Sequence, residues 1–150
     1  HQHMHMLPGV IDISLDVAAS LHLDAVRISR TPLFTAFAGM GQLIGRLGLF
    51  TLAELSLWKV KRRHFRVPDH FEGIVAGEAV HEGHFLHILK ELRPGTTEVM
   101  MHPGTDNSRL IPACDWEHDF EAEMQAIVSP KVRRMIADKA VKVVNYRDLK

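Results

Sequence analysis

Hydrophobic and polar residues recur with two different periods along the chain. Alternation at every second residue is typical of a strand, whereas apolar residues three or four apart are typical of an amphipathic helix. The first pattern predicts a strand at 1–6, and short apolar segments, of which 96–101 with its β-prone Thr97 and Val99 is the clearest, predict further strands at 25–28, 71–75, 96–101 and 141–146. Helical patterns separate most of these strands. Strands that alternate with helices favour an α/β fold with a parallel sheet and outer helices, either a barrel or an open sheet.

The helices are predicted from apolar stripes and from end signals. After Pro8, an apolar stripe is expected to face the core, and it consists of Val10, Ile13, Val17 and Leu21. Two helices are predicted over 33–65, and further stripes predict helices around 85–92 and 116–127. Ser129 and Pro130 have the residue types of an N-cap and a first helical position. A loop is expected between the strand that ends at 101 and Asp115.

Composition limits the class of protein. Hydrophobic residues make up 46% of the 150 residues, which predicts a globular domain with a core. Eighteen basic residues balance eighteen acidic ones, so nucleic acid and anionic membranes are not expected as partners. The most apolar stretch, 33–60, is interrupted by charged residues and glycines, which argues against a membrane span. The single cysteine fits a reducing cytoplasm.

Two groups of histidines are candidates for chemistry. His1, His3 and His5 would share one face of the first predicted strand, and neutral imidazole is a good ligand for zinc and similar ions. His102 directly follows the strand predicted over 96–101, at the strand end where parallel α/β folds gather catalytic groups. The alternative is that these histidines are exposed or hydrogen-bonded without function or, for the first group, were added to the natural chain.

Two other features favour a structural interpretation. His81, His84 and His87 lie on one predicted helix face, but they lack the spacing with which a zincin helix binds one ion. A solvated face is therefore predicted. The basic run over 59–66 has few aromatic neighbours and no nucleic-acid motif around it, so a solvated helix end is predicted there.

Four segments carry a family resemblance. They are 1–8 (HQHMHMLP) with 25–27, then 68–73 (PDHFEG), 95–104 (GTTEVMMHPG) and 144–149 (VNYRDL). In this order they resemble the YdjC-like carbohydrate deacetylases, the family that includes chitooligosaccharide deacetylase. The resemblance covers essentially the whole chain.

The resemblance implies a fold, a reaction and a set of site residues. The fold is a distorted (β/α) barrel, and the reaction is the removal of an acetyl group from an N-acetylated sugar with a divalent metal ion, Mg²⁺ or Zn²⁺. His1 matches a metal ligand, with His3 and His5 as secondary ligands or substrate contacts. His102 is the candidate acid that protonates the departing sugar nitrogen. Arg27 matches a strand-end arginine that binds the sugar or orients a carboxylate, and its structural alternative is a surface salt bridge.

The same resemblance bears on the extent of the domain. The family's metal site also uses an Asp-Asp motif and a histidine that precede the segment matched by His1, and 1–150 has no counterpart of either. We therefore expect a single domain that is the C-terminal portion of a deacetylase barrel and is inactive alone. We further expect a missing N-terminal segment or a homo-oligomer to cover its apolar faces. The competing hypothesis is a truncated, non-catalytic carbohydrate-binding or assembly protein.

Overall fold

The computed structural model describes residues 3–30, 43–74 and 79–149. The described helices are α1 (Val10–Ser20), α2 (Leu43–Arg62), α3 (Glu82–Lys90), α4 (Asn107–Cys114), α5 (Phe120–Val128) and α6 (Pro130–Asp138). The described strands are β1 (His70–Glu72) and β2 (Thr97–Val99), and two short 3-10 helices span Met4–Met6 and Tyr146–Asp148. The predicted α/β class is confirmed.

The strands β1 and β2 pair in parallel. The N–H of His70 donates to the carbonyl of Thr96 at 2.9 Å, and the N–H of Met100 donates to the carbonyl of Glu72 at 3.0 Å. Gly73 follows β1 with φ at +97°, and a Cβ there would lie 2.2 Å from the Met100 carbonyl oxygen. Only glycine allows this approach of the two backbones. The strand predicted at 25–28 is reduced to an isolated parallel bridge.

The described chain divides into two compact units. The first contains the described residues within 3–71 together with 95–98 and 144–149. The second contains the described residues within 72–94 together with 99–143. Along the chain, β1 and β2 both pass from the first unit into the second.

The core of the first unit forms where α1, α2 and the first 3-10 helix meet. Its buried residues are Met6, Ile11, Leu15, Ile28, Ala53 and Val60. Burying a large aliphatic side chain contributes about 1.5–3 kcal/mol, so this cluster is the main stabilising contact among these elements.

The predicted buried stripe of α1 is wrong. Its four residues keep between 38% and 65% of their surface exposed, and they are Val10, Ile13, Val17 and Leu21. Ile11, Leu15 and Ala18 face the core instead. The helix is apolar on more than one face, so the apolar period alone allowed two orientations.

Charge pairs between α1 and α2 accompany the observed orientation of α1. Asp12 Oδ2 lies 2.5 Å from Lys59 Nζ, and Asp16 Oδ1 lies 2.5 Å from Arg63 Nη1. The two aspartates are one helical turn apart and therefore lie on the same side of α1, next to the buried face. The basic run at the end of α2 is thus paired in part with acidic side chains, in agreement with its predicted structural role.

The second unit is built from helices that pack on one another. α3 contacts both α5 and α6, and α4 contacts α5. The buried apolar residues of this unit are Ala79, Val80, Leu89, Phe120, Ala126 and Val132. The predicted start of α6 is confirmed, because the Ser129 hydroxyl accepts the N–H groups of Lys131 and Val132 and Pro130 opens the helix.

The loop predicted before Asp115 is wrong over α4. The Asp106 carboxylate caps this helix by accepting the N–H of Arg109 at 3.2 Å. Pro112 lies inside the helix, where it removes one backbone donor. A loop is predicted over these residues, whereas the structure forms an eight-residue helix that includes the proline.

The strand predicted at the N-terminus is wrong for its described residues. The N–H of Met6 donates to the carbonyl of His3 at 3.0 Å, and that of Leu7 donates to Met4 at 3.1 Å. These are the local bonds of a 3-10 turn, so His3 and His5 do not share a strand face. His1 lies outside the described residues.

The strand predicted at 141–146 is also wrong. Val143 and Val144 are exposed, and Tyr146 begins a 3-10 helix capped by Asn145. β-branched residues favour a strand only where a neighbouring strand is available for pairing. The predictions for the first helix of 33–65 and for the end of the strand 71–75 fall partly outside the described residues. Among the helices that the structure describes, none is long and apolar enough to cross a membrane.

The orientation of α1 predicts the effect of two substitutions in one helix. Leu15 has no exposed surface and Ile13 is 65% exposed. Leu15→Ala should lower the free energy of unfolding by about 2–5 kcal/mol, because it leaves a cavity in the core. Ile13→Ala should change it by less than about 0.5 kcal/mol. Urea denaturation measures both, and equal losses would contradict the observed orientation.

Candidate functional sites

A buried carboxylate organises the polar residues of the first unit. Glu98 in β2 has a side chain that is only 10% exposed. Arg27 Nε donates to Glu98 Oε1 at 2.6 Å, and the Tyr146 hydroxyl donates to Oε2. Arg27 also lies over the ring of Phe71, 5.8 Å from its centroid. The guanidinium is thereby held in place while its side chain stays 43% exposed.

The environment of Tyr146 keeps its phenol neutral. Burial, then the hydrogen bond to Glu98 and the negative charge of that carboxylate, raise the pKa of Tyr146 well above its usual value. A neutral phenol donates a hydrogen bond, and here it donates to the carboxylate that also holds Arg27. The three side chains therefore form one network.

A cavity of about 370 Å³ lies beside this network. Its lining is both polar and apolar, and it consists of His5, Ile11, Ser14, Leu15, Val26, Arg27 and Tyr146. A few polar groups on an apolar wall are typical of small-molecule sites.

His5 in this cavity has the form that metal ions require. Its Nε2 lies 3.0 Å from the Arg27 carbonyl oxygen. A carbonyl only accepts, so Nε2 carries the proton and Nδ1 is the lone-pair nitrogen. Burial lowers the pKa of His5, although the hydrogen bond to Arg27 opposes this effect. A neutral imidazole with one nitrogen bonded to a carbonyl is the usual state of a metal-binding histidine.

His3 is placed differently from His5. Its ring makes an edge-on contact with Phe71, with the ring centroids 6.3 Å apart. The residue has φ at +58°, in the left-handed region. The two histidines, equivalent by spacing, therefore have different surroundings.

His102 in the second unit follows the end of β2 and is half-buried. Its backbone N–H donates to Glu123 Oε2. The imidazole ring makes edge-on contacts with two rings, Trp116 at 5.1 Å and His118 at 5.4 Å between centroids. Backbone and ring are thus both held by neighbours from the same unit.

Glu123 is the centre of this second site. It lies in α5 and is 1% exposed. Its Oε1 accepts the N–H of Val80 at 2.9 Å and lies 3.2 Å from His118 Nε2. That distance is short enough for an ion pair, yet among the described residues Nε2 has no hydrogen-bond partner of good geometry. The two side chains therefore lie close together without a hydrogen bond of good geometry between them.

Three of these residues have the donor types of a metal site. His102, His118 and Glu123 each offer one donor atom, and these atoms lie within 4.8 Å of one another. Two imidazoles and a carboxylate suit Zn²⁺ and similar ions.

His118 and Glu123 are not among the site residues expected from the sequence. A signal was present, because Glu123 lies three residues after Phe120 and three before Ala126 and therefore on the buried face of α5. A carboxylate within an apolar helix face indicates a specific partner. The apolar positions that predict this helix do not include Glu123.

The histidines of α3 differ in part from their prediction. His81 precedes the helix at the N-cap position without a side-chain capping hydrogen bond, and both His81 and His87 are exposed, in agreement with a solvated face. His84 is buried, and its ring stacks on His81 with centroids 4.0 Å apart. The predicted solvated face is therefore wrong for His84.

Comparison with known proteins identifies the family. The model of the family described as YdjC-like protein matches residues 1–138. This chain belongs to the YdjC-like family. A carbohydrate deacetylase of Thermoanaerobacter pseudethanolicus is 27% identical to it over 92 residues. That alignment covers 61% of the YdjC-like chain and 37% of the relative's length. No solved structure matches the chain.

The resemblance found from four sequence segments is thereby confirmed at the level of the YdjC-like family. Of its implied site residues, Arg27 and His5 line the cavity of the first unit. His102 belongs to the second unit. His1 lies outside the described residues.

The network around Glu98 predicts a spectroscopic change. Tyr146 is the one tyrosine of the YdjC-like chain, so alkaline absorbance titration reports on it alone. Glu98→Gln removes the negative charge and should lower the pKa of Tyr146 toward its usual value of about 10. The control is Glu91→Gln, since Glu91 is an exposed carboxylate of the second unit. An unchanged titration midpoint in Glu98→Gln would show that burial alone sets this pKa.

Proposed function

We propose that this chain takes part in the metal-dependent hydrolytic deacetylation of N-acetylated sugars or oligosaccharides. The observation that carries the proposal is the YdjC-like match over residues 1–138. The name of the relative from Thermoanaerobacter supplies the reaction class, although the alignment covers 37% of that protein. We also propose that the small parallel sheet belongs to a distorted (β/α) barrel.

The reaction breaks the amide C–N bond of the acetylated sugar. The oxygen of a water molecule adds to the carbonyl carbon, and the sugar nitrogen leaves with a proton, giving acetate and a free amine. An amide is a poor electrophile, and a divalent ion supplies Lewis-acid polarisation of its carbonyl. The protein must also deliver the proton to the departing nitrogen.

His102 is the proposed acid. An imidazole has a usual pKa of about 6.5, so both protonation states are accessible near neutral pH. The residue is half-buried, and Trp116 and His118 make edge-on contacts with its ring. A held ring loses less orientational freedom when it meets the substrate.

His1 is the proposed metal ligand, with His5 and His3 in secondary roles. The neutral form and the fixed tautomer of His5 support a ligand role for it, with Nδ1 as the donor atom. The ring contact of His3 with Phe71 favours a supporting role. Imidazole ligands leave both Zn²⁺ and Mg²⁺ as candidates, and zinc is the better match to nitrogen donors.

Arg27 is the proposed substrate-binding residue. Its Nε and one terminal nitrogen pair with Glu98, and a guanidinium has five N–H donors, so further donors are available for sugar oxygens. Because Glu98 neutralises the charge of Arg27, the cavity suits a neutral polyhydroxylated ring better than an anion. The half-buried side chain of Val26 on the cavity wall can contact the ring carbons.

The test is acetate release by the full-length gene product. N-acetylated chitobiose is incubated with the protein, with and without chelator, and after Mg²⁺ or Zn²⁺ is restored. His102→Asn should lower kcat by about 10²- to 10⁴-fold, because the acid is removed. His87→Asn is the matched control, since His87 is an exposed histidine on α3. It should leave kcat unchanged.

The outcomes separate the competing functions. If no N-acetyl sugar tested releases acetate in a metal-dependent way, the deacetylase proposal is wrong. Sugar binding without turnover, at saturating metal, would favour the non-catalytic carbohydrate-binding protein. Equal kcat values for His102→Asn and His87→Asn would remove His102 from the mechanism and leave the activity itself intact.

A further inference from the structure

Glu123 is a buried carboxylate with no part in the proposed reaction. It lies on the apolar face of α5, between Phe120 and Ala126, and is almost fully enclosed. Burying a carboxylate costs several kcal/mol unless hydrogen bonds compensate it. The groups that bind Glu123 therefore indicate what it does.

Both oxygens of Glu123 accept backbone N–H groups from segments outside α5. Oε1 accepts from Val80, ahead of α3, and Oε2 accepts from His102, beyond the end of β2. The second donor is the amide of the proposed acid itself. Hydrogen bonds to a carboxylate are about twice as strong as neutral ones. Glu123 thus fixes the backbone from which the His102 side chain projects.

A second connection runs from Glu123 to the His102 ring. His118 Nε2 lies 3.2 Å from Oε1, and His118 is 6% exposed. Its ring stacks on Trp116 with centroids 4.2 Å apart, and both rings lie nearly perpendicular to the ring of His102. The carboxylate is therefore bonded to the His102 amide and also lies next to a ring that contacts the His102 ring.

We propose that Glu123 is a positioning residue for His102. The inference rests on the proposed function, in which His102 delivers the proton. Proton transfer depends strongly on the distance and direction between the acid and the departing nitrogen, so a shift of the acid slows the reaction without removing it. Glu123 itself does not touch substrate in this role.

A divalent ion is the competing use of the same residues. The donor atoms of His102, His118 and Glu123 lie close enough to share one. An ion bound there would occupy a ring nitrogen of His102, and that nitrogen could not also deliver a proton. The carboxylate already has two backbone donors, so its burial is compensated without an ion. The test therefore includes a metal titration.

The first readout is the kinetics of Glu123→Gln in the full-length protein. Glutamine keeps the size of the side chain, but its amide nitrogen cannot accept, so one of the two N–H groups loses its acceptor. We expect kcat to fall by about 10- to 100-fold while KM stays within about twofold. Glu123→Asp keeps the charge and should recover part of kcat.

Glu121→Gln is the matched control. Glu121 lies in the same helix, and its Oε1 also accepts a backbone N–H, from Asn107 at 3.0 Å. Glu121 is exposed, and its side chain and its backbone N–H both bond to Asn107 rather than to His102. This variant should leave kcat and KM unchanged.

The second readout is NMR and does not depend on activity. The aromatic carbon-bound protons of His102 sense the ring current of Trp116, so their chemical shifts report the position of the ring. Glu123→Gln should move these resonances and speed hydrogen exchange of the His102 amide, whereas Glu121→Gln should do neither. If Glu123→Gln does not fold, the kinetics and the NMR measurements are made on Glu123→Asp instead.

The outcomes distinguish this proposal from the proposed function. Unchanged His102 resonances and amide exchange in Glu123→Gln would overturn the positioning role whatever the activity. Moved resonances with unchanged kcat would overturn it for the reaction. If the wild type deacetylates no N-acetyl sugar, the proposed function is wrong. The spectra alone then test whether Glu123 positions His102. Stoichiometric Zn²⁺ that shifts His102 and His118 in the wild type, but not in Glu123→Gln, would identify a metal site instead.

Discussion

The parallel pairing of β1 with β2 fixes the strand that carries a central polar residue of one site and leads into that of the other. Each strand has three residues, so contacts at the strand ends carry much of the pairing. At the start, Asp69 accepts both the N–H and the hydroxyl of Thr96, at 2.7 and 2.8 Å. At the end, Gly73 allows Met100 to approach. Glu98 lies within β2, and His102 follows its end by three residues. A slip by one residue would turn Glu98 to the opposite face of the strand.

Two carboxylates with little exposed surface organise the two sites. The cost of burying each one is offset by a different kind of partner. Glu98 pairs with a guanidinium and a phenol, so its partners are side chains. Glu123 accepts backbone N–H groups from two segments, so its partners are fixed by the fold itself. Side-chain partners leave Arg27 partly exposed and able to bind further groups. Backbone partners instead make the position of His102 depend on α5, because the carboxylate that holds its amide belongs to that helix.

Sequence reasoning succeeded where the determining contacts are local. The Ser129-Pro130 start of α6 depends on bonds within three residues, and β2 lies inside its predicted range. The family was found because its motifs are contiguous segments of the chain. Predictions from the sequence were wrong or incomplete where contacts between residues distant in the chain determine the structure. The buried face of α1 packs against Ala53 and Val60 of α2, and the carboxylate of Glu123 is bound by the N–H of Val80, which is 43 residues away along the chain.

The histidines near the N-terminus illustrate this limit most directly. Spacing at every second residue made His3 and His5 equivalent, because it assumed a strand that presents both on one face. The 3-10 turn removes that equivalence, and tertiary contacts then separate the two residues. The Arg27 carbonyl fixes the tautomer of His5, while Phe71 contacts the ring of His3. A ligand needs a lone pair at a defined nitrogen, and only a partner on the other nitrogen can define it. The chemistry of this segment therefore follows from what each imidazole contacts, and its spacing carries much less information.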